Sequence, residues 1–151
     1  MSFSGRPQEF HDQSVDNNGF FPALSLGEFQ KLHRVPSNIA AETVEHQLTV
    51  AVGAVNLGLA NEQTQWIDAG HANLVAVDSA DNGARTSFYK AAVYYRAKAF
   101  LLADFQTFSR RDIAENIAKE HDDTKSLLLA ESRRALKRLR GLTTTIGVEL
   151  L

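Results

Sequence analysis

Residues 85–108, RTSFYKAAVYYRAKAFLLADFQTF, decide the fold. Phe88, Ala92, Tyr95, Ala99, Leu102 and Phe105 recur at i, i+3 and i+4, and Ala fills several positions between them. The spacing predicts one long helix. Tyr94, Tyr95, Phe100 and Phe108 give it more aromatic surface than a single stripe needs, so it is expected to be the central, best-buried element, with most of those rings in the core.

Upstream, Val44, Leu48, Val52 (or Ala51), Val55 and Leu59 form one apolar stripe, which predicts a helix over 39–61 capped by Ser37 or Asn38. Gly53 and Gly58 lie inside it, each costing up to about 1 kcal/mol relative to Ala. Close approach of another helix would compensate. A shorter helix is expected over 26–34, with Leu26, Phe29 and Leu32 or His33 on its face. Ser25 stands at its N-cap, and Glu28 three residues on completes a capping box. Pro36 separates the two helices. Residues 67–83 carry Gly70, Asp78, Asp81, Asn82 and Gly83. They break the period and read as a long connection around the apolar plug Leu74-Val75-Ala76-Val77.

Downstream of Ser109-Arg110-Arg111, a weaker amphipathic piece over 113–119 leads to His121-Asp122-Asp123. These residues are expected to cap a last helix running to Arg140, which Gly141 stops. Leu142 to Leu151 are partly alternating and rich in β-branched residues. If extended, this tail must lie against the helices or add to another subunit's strand. Residues 1–19 are polar and contain too few large apolar side chains to offset ordering entropy, so a mobile arm is expected there. The adjacent rings of Phe20-Phe21-Pro22 then need cover. An internal staple and an anchor in a neighbouring chain are equal readings, the second because aromatics are enriched at interface centres. The expectation is an all-α chain: a small helical bundle of about four helices over 20–151, a mobile N-terminal arm and a short extended C-terminal tail.

The 151 residues are 44% hydrophobic and 23% charged, which suits one globular domain. Sixteen Lys and Arg stand against 18 Asp and Glu. A net charge of -2 gives no global attraction to nucleic acid or an anionic membrane. With no cysteine, disulfide frameworks, thiolate zinc sites and cysteine nucleophiles are excluded. No apolar run approaches the ~20 residues needed to span a bilayer, and the first residues do not read as a signal peptide. The chain is expected in the cytoplasm when made.

No phosphate-binding Gly-rich loop, nucleophile elbow, zinc-protease helix motif or calcium loop is present in the sequence. His11, His33, His46, His71 and His121 are scattered. Glu42 and His46 share a helix face, but solvated faces produce such pairs constantly and a metal needs more converging ligands. Asp122 and Asp123 read as helix-capping acids rather than catalytic carboxylates. The strongest charged feature is Arg133, Arg134, Lys137, Arg138 and Arg140, opposite the apolar face of Leu128, Ala135, Leu136 and Leu139. A solvated helix end favoured by the macrodipole is the preferred reading. Contact with an acidic partner or with DNA is the competing one. Catalytic, metal and cofactor sites are not expected.

Several marks occur together in a meaningful order: Phe20-Phe21-Pro22 after a polar arm, Leu48, Ala51, Val55-Asn56 and Leu59 on one helix, Tyr89 with Ala92-Val93, and Arg134-Ala135 through Gly141 before a short apolar tail. In this order and spacing the chain resembles the head completion/stabilization proteins of contractile-tailed phages, the gpL type, from about residue 20 to 151. It departs from that pattern at Ser132, where an acidic residue is frequent, and over 109–121.

The resemblance implies a non-enzymatic virion protein at the capsid vertex, assembled in the bacterial host cytoplasm. It implies docking on the portal protein after DNA packaging, stabilisation of the filled head, and a ring of identical subunits as the head-tail connector for a tail or tail-terminator protein. Within such a ring, Phe20, Phe21, Ile146, Val148 and Leu150 are the candidate interface residues. Arg133, Arg134, Lys137, Arg138 and Arg140 are candidates to face an acidic partner or, non-specifically, packaged DNA. A helical DNA-binding regulator using that basic helix end is the alternative, and an enzyme with an unrecognised helical site is a third.

Overall fold

Helix 85–108 forms as its spacing requires, and the other elements are arranged around it. The computed structural model describes residues 9–108 and 114–141. In chain order the elements are β1 (Ser14–Val15), β2 (Leu24–Ser25), α1 (Leu26–His33), α2 (Ala41–Gly58), α3 (Ala60–Asp68), α4 (Leu74–Asp81), α5 (Arg85–Phe108) and α6 (Ala114–Leu139). The all-α expectation holds in outline. Six helices stand among the described residues rather than about four, with a two-stranded antiparallel ladder beside them.

α5 is enclosed by α6, α2, α4 and α1. Tyr89, Ala92, Val93, Tyr94, Ala97 and Leu101 are all buried, so the helix is covered on more than the one stripe that i, i+3, i+4 counting picks out. α6 lies on α5 where both carry small residues. Ala92 and Ala135 are buried in the seam, and the fully buried Ser132 donates its hydroxyl to the Ala92 carbonyl at 2.6 Å. A larger acidic side chain at 132 would meet that seam without room for its charge.

α2 buries Val44, Leu48, Ala51, Val52 and Val55 as expected. It starts at Ala41 and takes no side-chain cap from Ser37 or Asn38. The turn before it explains this: Ile39 packs on the core, its N–H bonds the Pro36 carbonyl at 3.4 Å, and its carbonyl meets His11 Nε2 at 2.6 Å. The helix does not run unbroken to 61, because fully buried Leu59 (φ -107, ψ 10) redirects the chain into α3.

The long connection expected over 67–83 is instead the end of α3 and the short helix α4. Asn73 caps α4 by accepting the Ala76 N–H at 2.8 Å. Leu74 and Val77 are buried one turn apart while Val75 is exposed. The apolar plug is therefore helical, and its brevity hid the period. Asp78 then accepts the N–H groups of Arg85 and Thr86 at 2.7 and 2.8 Å, a carboxylate at the positive end of α5. The last helix also differs: α6 begins at Ala114, so 121–123 lie inside a continuous helix rather than capping one. Gly141 ends it with φ +75.

The chain before Phe20 is attached to the domain from the first described residues. β1 pairs with β2 in the register Ser14↔Ser25 and Val15↔Leu24. The His11 N–H donates to buried Gln30 at 3.0 Å, and the Leu26 N–H donates to the Gln13 carbonyl at 3.0 Å. A Cβ at Gly27 would stand 2.8 Å from the His11 carbonyl, so glycine there lets the strap lie flat on α1. The expected mobile arm over 1–19 is thus a docked strap over 9–19, because polar backbone and amide groups replace the missing apolar burial.

Candidate functional surfaces

The marks that carried the resemblance meet inside the molecule. Between β1 and β2 the chain folds over at Asn18, whose side-chain oxygen accepts the N–H groups of Phe20 and Phe21 at 3.1 Å each. Both rings thereby turn inward, 4% and 3% exposed. Phe20 stacks on Trp66 at 6.0 Å between centroids, and Phe21 stacks on Tyr89 at 4.6 Å. As interface candidates these two residues are corrected by the structure: their own chain covers them, which is the internal-staple reading.

The Tyr89 hydroxyl closes a ring of hydrogen bonds beneath them. Asn17 Nδ2 donates to it at 2.9 Å, it donates to Asn56 Oδ1 at 2.6 Å, and Asn56 Nδ2 donates to Asn17 Oδ1 at 2.8 Å. Burial pushes the Tyr89 hydroxyl up to about 12 against the opposing bond from Asn17, so it stays protonated and keeps its donor role. Sequence reading found Tyr89 and Asn56 but missed Asn17, which it placed in the arm; the Asn17-Asn18-Gly19 run was the available turn signal.

A second polar cluster joins α1 to α5. The capping box is half made: Ser25 Oγ accepts the Glu28 N–H at 3.1 Å. The Glu28 carboxylate turns instead to α5, accepting from the Tyr94 hydroxyl at 2.9 Å and pairing with Lys90 at 3.2 Å. A fully buried tyrosine needs that acceptor more than the helix end does. Burial first, then the Glu28 contact, pushes the Tyr94 hydroxyl far up. His33 packs edge-on against Tyr94 and Tyr95 at 5.5 and 4.8 Å. Its pKa is lowered to about 4 by burial first and by the Lys98 charge second. Beside them opens a depression of about 290 Å³ lined by Leu32, Ser87 and Ala91 as well as the cluster. Glu28 is already neutralised by Lys90, and the one imidazole stands among aromatic rings. The arrangement anchors α1 to α5.

The basic helix end divides in two. Arg140 donates to Glu62 at 2.8 Å and to the Gly58 carbonyl at 2.7 Å, so it ties α6 to the α2–α3 junction. Arg134 pairs with Glu131 on its own helix. Arg133, Lys137 and Arg138 are exposed and make no ion pair among the described residues. Ile146, Val148 and Leu150 lie outside the described residues.

The sequence reading also missed the outer face of α2, where Glu42, Glu45, His46, Thr49, Val50, Gly53 and Leu57 are all exposed. Leu57 is 81% exposed. A Cβ at Gly53 or Gly58 would meet nothing within 4 Å among the described residues, so none of these makes the close helix approach expected there. One further signal was legible: no Lys or Arg stands between Arg34 and Arg85. Among the described residues, no group of three or more His, Asp and Glu is placed to hold a metal, and no helix is long and apolar enough to cross a membrane.

A helical scaffold, stapled internally and bearing separate charged outer faces, is the class that fold and surfaces define. Comparison with known proteins gives the family. The chain matches the phage head completion protein (GPL) family over residues 15–151, and it belongs to that family. It is 34% identical over 142 residues to the probable head completion/stabilization protein of Haemophilus phage HP1 (strain HP1c1), covering 92% of this chain and 93% of that protein. No solved structure is a significant match. The chain therefore belongs to phage head assembly. The DNA-binding regulator finds no support, and one of its five cations is committed to Glu62 and Gly58.

Proposed function

We propose that this protein is a non-enzymatic virion component that docks on the portal vertex after DNA packaging, stabilises the filled head and forms a ring on which the tail is mounted. The observation that carries this reading is the family match, which spans residues 15–151. The relative named for head completion and stabilization aligns with 92% of this chain. The internal staples support it further, since a block that must sit between larger assemblies gains from a rigid body whose binding chemistry lies on its outside. The tail residues Ile146, Val148 and Leu150 remain candidates for subunit contacts within the ring.

A phage carrying a nonsense allele of the gene tests this directly. Heads should package DNA and then lose it, purified protein added to the lysate should restore infectious particles, and mixtures with portal should show an added ring by electron microscopy. Infectious, DNA-retaining particles made without the chain, and no complex with portal, would refute it.

A further inference from the structure

We infer that the outer face of α2 in one subunit seats the basic face of α6 from a second copy of this chain, in a head-to-tail contact. This rests on the ring reading above and specifies the surface that makes the ring.

Three observations converge. Charge is segregated along the chain: residues 35–84 carry Glu42, Glu45, Glu62, Asp68, Asp78 and Asp81 and no Lys or Arg. Residues 124–141 carry Lys125, Arg133, Arg134, Lys137, Arg138 and Arg140 against Glu131 alone. Internal pairs consume some of these, with Glu62 on Arg140 and Asp78 and Asp81 on Arg85. Arg134 pairs with Glu131 in turn, so Glu42, Glu45 and Asp68 remain without an ion pair among the described residues, as do Lys125, Arg133, Lys137 and Arg138. The leftover charges of the two faces are opposite in sign, which steers and orients association.

Each face also has apolar surface among its charges. On α2, Gly53 is at the centre of the exposed face, with His46, Thr49, Val50 and Leu57 at i-7, i-4, i-3 and i+4. On α6, exposed Leu127 shares a stripe with Arg134 and Arg138 at i+7 and i+11. Exposed apolar side chains ringed by charge have the anatomy of an interface core and rim.

The third observation is Gly53 itself. It weakens α2, and nothing among the described residues occupies the space its missing side chain leaves. A bare backbone at the middle of an exposed helix face is where a second helix can come closest. Pairing two α2 faces about a two-fold axis would leave their acids without countercharge and the α6 cations uncovered. A heterologous contact covers both and repeats, which is the condition for a closed ring.

The absence of cysteine from the chain makes a disulfide test clean. Full-length Gly53→Cys protein is mixed with Leu127→Cys, Ala130→Cys or Arg134→Cys protein and oxidised, alone at high concentration and with portal particles. Mixed disulfide dimers should form with at least one α6 variant and exceed those of either variant alone. Adding Glu42→Lys and Glu45→Lys to the Gly53→Cys chain should cut their yield by about tenfold, and reversing Lys137 and Arg138 to Glu in the α6-cysteine partner should restore it. Thermal melts of each variant confirm that the fold is kept. Two results overturn the inference while leaving the ring intact: Gly53→Cys homodimers in excess, or no mixed disulfide from a chain that sediments as an oligomer, including the case where the α6 face binds duplex DNA instead. A chain monomeric under every condition, portal included, overturns the ring reading as well.

Discussion

The two faces of α2 present opposite chemistry on one helix. Its inner face sets Val44, Leu48, Ala51 and Val55 into the core and Asn56 into a closed hydrogen-bonded ring with Asn17 and Tyr89. Its outer face shows Val50, Gly53 and Leu57 exposed, with nothing among the described residues against Gly53. Residues that identify the family sit on the inner face and serve the monomer. Those on the outer face make no core contact among the described residues, and the contact proposed above lies there.

Truncation at the knot should have the largest effect. Tyr89→Ala removes a fully buried ring stacked on Phe21 and should cost about 3–5 kcal/mol in urea unfolding. Tyr89→Phe keeps the stack but leaves the Asn17 amide and Asn56 carbonyl short of a partner, for about 1–3 kcal/mol. If the second variant matched wild type, the hydrogen-bonded ring would carry no weight and the comparison would rest on packing alone. Gly27→Ala sets a Cβ 2.8 Å from the His11 carbonyl, so the strap must lift, at about 1–3 kcal/mol. Limited proteolysis should then cut within residues 9–13 faster than in wild type.

The outer face should behave in the opposite sense. Gly53→Ala should raise monomer stability by up to about 1 kcal/mol while lowering self-association measured by sedimentation. A destabilised monomer would show that the face is already occupied by its own chain and would erase the contrast with the inner one.

The smallest effect concerns pH. Folded His33 resists protonation, its pKa lowered to about 4, whereas the unfolded chain takes up the proton near 6.5. Stability should be flat with respect to this group above about pH 6.5 and decline as pH falls from there towards 4. Partial exposure of the ring keeps the change small. His33→Gln should flatten that part of the urea-midpoint curve, and an unchanged slope would assign it to other groups.

Much of the helix content was legible because long amphipathic segments announce their period. α5 and the inner stripe of α2 appear at the expected residues. α4 was missed because eight residues hold barely two turns, and its turn-rich flanks looked like a loop. The boundary at Leu59 was missed because one buried residue outside helical geometry leaves no mark in an apolar stripe. Of the candidate sites, the basic end of α6 was found but not its division, since Glu62 lies 78 residues from Arg140.

By itself the sequence determined that the chain is helical, which segments are amphipathic, that cysteine chemistry is impossible, and that charge is segregated along its length. These are properties of local spacing and composition, and each is settled within a few turns of chain. Only the tertiary structure decided that Phe20 and Phe21 face inward, that the strap before them is tied down, and that no described residue stands against Gly53. Each of those depends on which distant groups arrive within hydrogen-bond or van der Waals reach. That proximity is set by the packing of helices around α5, not by neighbours in sequence.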